Sequence, residues 1–333
     1  MMKSFDYQQI SLYRNELMGL AAILILICHA PGNNVMMPSL LAKLFSYGNV
    51  GVDMFLLLSG VGLFYSLEKK NKSTWYWYSK RFIRIFVPYW IITIPYLLFN
   101  VCFMAHGMDD MILNMLTLSY WLSGDGDWYI SLIILLYIIA PPLFTFFNNK
   151  TGTRRLVIAV LLCIAFSGMS EFTCSSESLI PFSKAISRAP AFVLGGALVP
   201  YIKTRVKMNV FYIVAGSIVL LILYNLIFPH GNILWILSVP VIALSCVLIE
   251  KVSFLKEVAA FMGFMSLESY LWNVHLGAIL NHVSWKLGGY DFSYGHYLEY
   301  ATVLIVGIAL AYLFYLIDKR AIEQVNKRIF CNV

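Results

Sequence analysis

"LMGLAAILILICHAPG" covers residues 17–32. A nearly unbroken apolar run ends in an ionisable ring, His29, and a Pro-Gly pair. Whether it is a buried core helix or a membrane span is decided by the rest of the chain. Of 333 residues, 60% are hydrophobic and 12% charged, and the mean hydropathy is +0.76. Soluble domains carry about 25% charged residues. The deficit leaves too few charges to solvate a separate globular domain, so the run reads as the first span of a polytopic membrane protein. "LICHAPGNN" offers no small-x-small cleavage site, so the span is expected to be retained.

The fold class that follows is all-α, a single transmembrane domain over 1–333. A span needs about 20 mostly apolar residues. Ten candidates fit, at about 13–31, 49–67, 84–104, 127–147, 156–173, 187–202, 209–228, 232–250, 257–279 and 297–317. With both termini cytoplasmic, 20 of the 24 Lys and Arg residues fall on the cytoplasmic side, and Lys43, Lys184, Arg188 and Lys286 on the other. Inversion would reverse that ratio, so the excess of positive charge inside fixes the predicted orientation. "MDDMILNMLTLSYWLSGDGD" has too few apolar residues to span. It is expected to form an outer amphipathic or re-entrant element over about 108–124.

The basic residues cluster between hydrophobic runs, so the formal charge of +7 reads as topology, not as a nucleic-acid surface. Cysteines 28, 102, 163, 174, 246 and 331 show neither metal-ligand spacing nor a disulfide framework. They read as small hydrophobes, and no metal is expected.

Ionisable groups inside hydrocarbon are costly and mark interior, functional positions. His29 lies late in the first span and Asp53 early in the second, which runs the other way, so similar depth is expected. Glu268, Asn273 and His275 follow one another outward along "SLESYLWNVH". Trp128, Tyr129 and Arg188 enter at the same end. His106, His230, His282 and His296 fall in outer loops or at span ends and read as solvated. On the opposite side Lys80, Arg81 and Arg84 open the third span, Arg81 and Arg84 sharing a helix face. Two readings stay open for them: anchoring to anionic headgroups, or pairing with a phosphorylated ligand.

These motifs resemble the acyltransferase-3 family of integral membrane acyltransferases, which modify bacterial cell-surface polysaccharides and related envelope molecules. "LMGLAAILILICHA" resembles the first-span motif, and the essential His falls on His29. "GVDMFLLLSGVGLF" is similar to the second-span block through Gly51, Asp53, Phe55, Ser59 and Gly60. "SKRFIRIFVPYW", "WYISLIILLYIIAPP" and "GFMSLESYLWNVH" resemble three later blocks, and together the five cover about 11–317. The family commonly has Arg where this chain has Met18, with Arg14 one turn earlier. It often has Glu at Ile133 and His at Asn273.

The resemblance implies transfer of an acyl group, usually acetyl, from cytoplasmic acetyl-CoA (or another acyl-CoA) to a hydroxyl of an envelope polysaccharide or lipid-linked sugar. The setting would be a bacterial inner membrane. Lys80, Arg81, Arg84 and Arg14 would hold the coenzyme. His29 would act as general base, with Asp53 orienting its imidazole as the carboxylate of a triad does. Trp128, Tyr129, Arg188, Glu268, Asn273 and His275 are acceptor-binding candidates. An acyl-His intermediate is an alternative to direct transfer. Two other functions stay open: a transporter or flippase of an envelope precursor, and a non-catalytic family member, which the Met18 and Ile133 departures allow.

Overall fold

The computed structural model describes residues 4–33, 35–69, 73–104, 107–148, 150–173, 179–229, 232, 234–289 and 297–330. A short amphipathic start, β1 (Ser4–Asp6) and α1 (Gln8–Leu12), leads into α2 (Arg14–Gly32). Then come α3 (Ser39–Ser46), α4 (Val50–Glu68), α5 (Thr74–Phe103), α6 (Met108–Met115), α7 (Ser119–Ser123), α8 (Trp128–Asn148) and α9 (Gly152–Thr173). The chain continues through α10 (Ile180–Ile186), α11 (Ala189–Lys203), β2 (Lys207–Asn209), α12 (Val210–Ile227) and α13 (Leu234–Lys251). It ends with α14 (Ser253–Phe264), α15 (Ser266–Gly288) and α16 (Tyr297–Phe330). Among the described residues, nine helical segments are long and apolar enough to cross a membrane. The protein is an all-α, multi-pass membrane protein, with the small antiparallel β1–β2 pair as its only sheet among these residues.

The centre of the bundle is α4, buried without interruption from Val50 to Val61. A helix that is apolar all round belongs in a core, and small residues let its backbone approach its neighbours. A Cβ placed on Gly60 would lie 2.2 Å from the Phe192 carbonyl oxygen of α11. The same test on Gly19 of α2 puts a Cβ 1.8 Å from the Ala259 carbonyl of α14. Helix pairs α4–α11 and α2–α14 therefore pack backbone to backbone, which fixes their rotation as well as their distance.

Two regions depart from the simple span count. The expected span at 257–279 is broken at Met265, whose φ of −112° and ψ of 26° separate α14 from α15. Met265 is fully buried, consistent with non-helical backbone at membrane depth being sheltered by protein. Beyond the break, Glu268, Asn273 and His275 crowd the first half of α15, which does not qualify as a span on apolarity.

The stretch after α5 is re-entrant. The Tyr89 hydroxyl donates to the Asn114 carbonyl at 2.8 Å and Trp90 Nε1 to that of Met115 at 2.9 Å. Tyr89 lies fourteen residues before Phe103 on α5, about 20 Å along the axis at 1.5 Å per residue. The chain thus turns back deep inside. Thr117, Gly124 and Gly126 make that path with φ values of 58°, 84° and 96°.

The basic ends of the spans gather on one face. β1 pairs with β2 in the register Phe5–Met208, which ties the N-terminal arm to the α11–α12 turn. The Lys203 ammonium pairs with Glu68, and Ser11 lines the same cavity as Asn326 near the end of α16. The expected tenth span is longer than 297–317, because α16 runs on as helix through the basic tail to Phe330.

Candidate functional site

Two cavity systems enter the bundle from opposite ends. The first opens at the basic face, with about 690 Å³ lined by Lys80, Arg84, Arg14, Glu268, Asp318 and Lys319 among others. A further pocket of about 120 Å³ shares Arg14, Met18, Arg84, Ser266 and Leu267 with it and adds Arg81, Tyr129 and Tyr270. The path therefore leads from exposed Lys80 past three arginines to a pair of tyrosines.

Helix geometry explains the basic lining. Arg81 and Arg84 stand three apart on α5 and share one face. Arg14, the first residue of α2, donates from Nε to the Leu58 carbonyl at 3.2 Å. The Arg81 guanidinium lies 5.9 Å from the Trp77 ring centroid, and Lys80 Nζ 4.9 Å from that of Tyr76. Such cation–π contacts hold the long side chains near their aromatic neighbours. Met18 lines both parts of the cavity beside Arg14. A guanidinium from one turn earlier thus reaches the space that an arginine at position 18 would enter.

The second system is acidic. A cavity of about 350 Å³ at the other end is lined by Asp110, Asp125, Asp127, Thr93, Tyr96 and His275, with several further hydroxyl and amide groups. His275 is the centre of its inner wall. Its Nε2 lies 3.5 Å from Asp127 Oδ2 and 3.4 Å from Thr93 Oγ1. The Tyr96 ring stacks on the imidazole with centroids 4.2 Å apart. Asp127 and Thr93 escaped the sequence reading. "SGDGDW" reads as a polar turn before a span, and only the re-entrant path brings its last carboxylate inside.

The two systems approach each other end to end. Tyr129 follows Asp127 by two residues and Tyr270 precedes His275 by five. Their rings meet at 63° with centroids 5.3 Å apart, and both line the basic side. Neither tyrosine lines the acidic cavity.

His29 lies outside the linings of both cavities among the described residues. It is half-buried, and its Nδ1 hydrogen-bonds the Asn273 side-chain oxygen. Asn273 holds the position at which the resembling family has His, and here its side chain orients the imidazole.

The expected His29–Asp53 pairing is replaced by a different one. Asp53 is fully buried and forms an ion pair with Arg188, which also donates to the Asn49 carbonyl at 3.4 Å. Helix register explains the change. Gly48 meets Leu24 and Cys28 of α2, and Gly51 meets Ala21 and Ile25. Asp53 then stands about 200° around α4 from Gly51 at 3.6 residues per turn, facing α11. It also lies five residues past Gly48, which packs on Cys28. The offset is about 7–8 Å at 1.5 Å per residue, so the two groups are not at one depth.

The remaining candidates separate in the same way. Glu268 lines the basic cavity with Asp318, not the acidic one. Trp128 carries Lys184 Nζ 5.5 Å from its ring centroid. His282 packs edge-on against Phe99 at 5.3 Å. His106, His230, His296, Cys174 and Cys331 lie outside the described residues. Among those described, no group of three or more His, Cys, Asp or Glu side chains could hold a metal ion, and Cys163 and Cys246 are buried thiols.

Comparison with known proteins agrees with the motif blocks. The acyltransferase domain of the acyltransferase-3 family matches residues 17–316. No curated protein and no solved structure matches the chain significantly. With two opposed cavities in a multi-pass bundle and a family match over most of its length, the chain belongs to the acyltransferase-3 family and is a membrane acyltransferase.

Proposed function

We propose that the protein moves an acyl group, acetyl in the simplest case, from acyl-CoA to a hydroxyl of an envelope polysaccharide or lipid-linked sugar at a bacterial inner membrane. One observation carries the donor half: Arg14, Arg81 and Arg84 line the inner pocket with no carboxylate among them, and Lys80 and Lys319 stand at the wider mouth, which Glu268, Asp318 and Glu323 share. Guanidinium groups pair with phosphate through two parallel hydrogen bonds, and coenzyme A presents phosphates at one end. Its pantetheine arm, about 20 Å long, covers most of a bilayer core of about 30 Å. With the nucleotide at Lys80 and Arg84, the thioester would come to the Tyr129–Tyr270 pair. The charge distribution supports placing that face in the cytoplasm.

For the chemistry, His29 acts as general base. Nε2 takes the proton of the acceptor hydroxyl while its oxygen bonds to the thioester carbonyl carbon. The carbon–sulfur bond then breaks, and the thiolate leaves as CoA after protonation. Histidine is the side chain that most often does this work. Asn273 supplies the orientation first assigned to Asp53. The test is acetyl transfer by purified protein carrying His29→Ala: transfer should vanish while acetyl-CoA still binds, and an active variant overturns the assignment. Trapping of acetyl on His29 would favour the acyl-imidazole route over direct transfer.

The broken α14–α15 helix favours a second reading, because transporters commonly build binding sites at discontinuous helices. A flippase would translocate an envelope precursor without CoA. Release of CoA that depends on His29 separates the enzyme from it, and absence of both activities would leave a non-catalytic relative.

A further inference from the structure

We infer that the acidic cavity takes an acceptor without negative charge: an uncharged or amine-bearing saccharide, not a uronate or a phosphorylated sugar. This rests on the acyl-transfer reading above and adds a substrate class to it. Asp110 and Asp125 are exposed at the cavity and Asp127 is buried at its inner end, while no Lys or Arg lines it among the described residues. A phosphate or carboxylate would face like charges with no Lys or Arg to pair it, the repulsive element by which binding sites exclude wrong partners.

Two buried atoms point to a ligand independently of that charge. His275 Nδ1 and Asp127 Oδ1 have no hydrogen-bond partner, on residues 4% and 6% exposed that both line the cavity. Buried polar atoms are seldom left unpaired. A hydroxyl donates and accepts at once, so one sugar hydroxyl can serve either atom and two can serve both. Tyr96 adds an apolar ring face beside Thr93 and Asn100. A volume of about 350 Å³ lies within the range of small-molecule sites.

The test uses full-length protein in bilayers with Ser123→Cys, a thiol at an exposed position lining the cavity. Its modification by an uncharged thiosulfonate reagent is read at that residue by peptide mass spectrometry. Methyl glycosides of glucose, glucosamine and glucuronic acid compete with the reagent. The glucose and glucosamine compounds should slow labelling at concentrations at least tenfold below the glucuronide. Combining Asp110→Asn with Asp125→Asn should narrow that gap severalfold. Equal or better protection by the glucuronide overturns the inference, as does no protection by any of the three. Acetyl-CoA binding to the same preparation tells the two failures apart. Intact donor binding confines the failure to the acceptor class, and its loss extends the failure to the acyl-transfer reading.

Discussion

The two cavities are built from opposite materials by opposite means. The basic one takes its cations from regular helical stretches of α2 and α5, where side chains three residues apart share a face, although the α14–α15 break forms part of its wall. The acidic one owes its inner wall to a chain that turns back on itself through three residues with positive φ. A regular helix can present long flexible cations to a phosphorylated ligand with little positional demand. Holding a compact carboxylate–imidazole pair takes a local path that places Asp127 against His275 to within 3.5 Å. Where the ligand is large and highly charged, a coarse scaffold suffices. Where one hydroxyl must be held, the backbone is contorted to do it.

His29, outside both linings, is the strongest test of that division. General-base catalysis contributes about 10²- to 10⁴-fold, so His29→Ala should lower transfer at least a hundredfold with donor and saccharide binding both kept. Loss of either binding would move His29 into a cavity role. The next effect is on stability. Asp53→Ala leaves the Arg188 charge buried and unpaired, which should cost about 3–5 kcal/mol, seen as a lower unfolding temperature in detergent. A fully stable but inactive Asp53→Ala protein would restore the carboxylate to the imidazole.

Within the cavities the expected effects are smaller and should stay on their own side. Arg81→Ala with Arg84→Ala removes two charge-assisted contacts, each worth about 1.5–3 kcal/mol. Acetyl-CoA affinity should fall by more than tenfold in calorimetry, with saccharide protection at position 123 unchanged. Unaltered affinity would return both arginines to membrane anchoring. Asp127→Asn keeps the shape of the acidic wall but removes its charge. The acceptor KM should rise severalfold while donor binding holds, and a change confined to kcat would make Asp127 a chemical participant instead. Met18→Arg, the mildest, adds a cation beside Arg14. A few-fold tightening of acetyl-CoA is expected, and weaker binding would mean that Arg14 already fills the space.

Much of this architecture can be read from hydropathy. Spans, basic connections and the too-polar stretch at 108–127 need only composition along the chain. The break at Met265 does not show that way, since "FMGFMSLES" contains neither Pro nor a polar run before Ser266, and the backbone bends where packing permits. Strand β1 is equally hidden, because three residues carry no periodicity. Of the candidate site, the Arg81–Arg84 face is legible from spacing, and His29 is a proposal from residue type. Their partners are not. Whether Asp53 meets His29 or Arg188 depends on how far α4 is rotated, and that is set by close backbone contacts at Gly48, Gly51 and Gly60.

The tyrosine pair between the cavities has an electrical consequence. Were both cavities filled with water, the insulating part of the membrane would thin toward the tyrosines. The potential that elsewhere falls across about 30 Å of hydrocarbon would then be concentrated near them. A charge that crosses this layer traverses most of the field, about 2.3 kcal/mol per elementary charge for each 100 mV. Replacing Tyr129 and Tyr270 together by alanine would turn a group-transfer site into a leak. Under the proposed acyl transfer, the pair would have to let an acyl group pass while holding back ions.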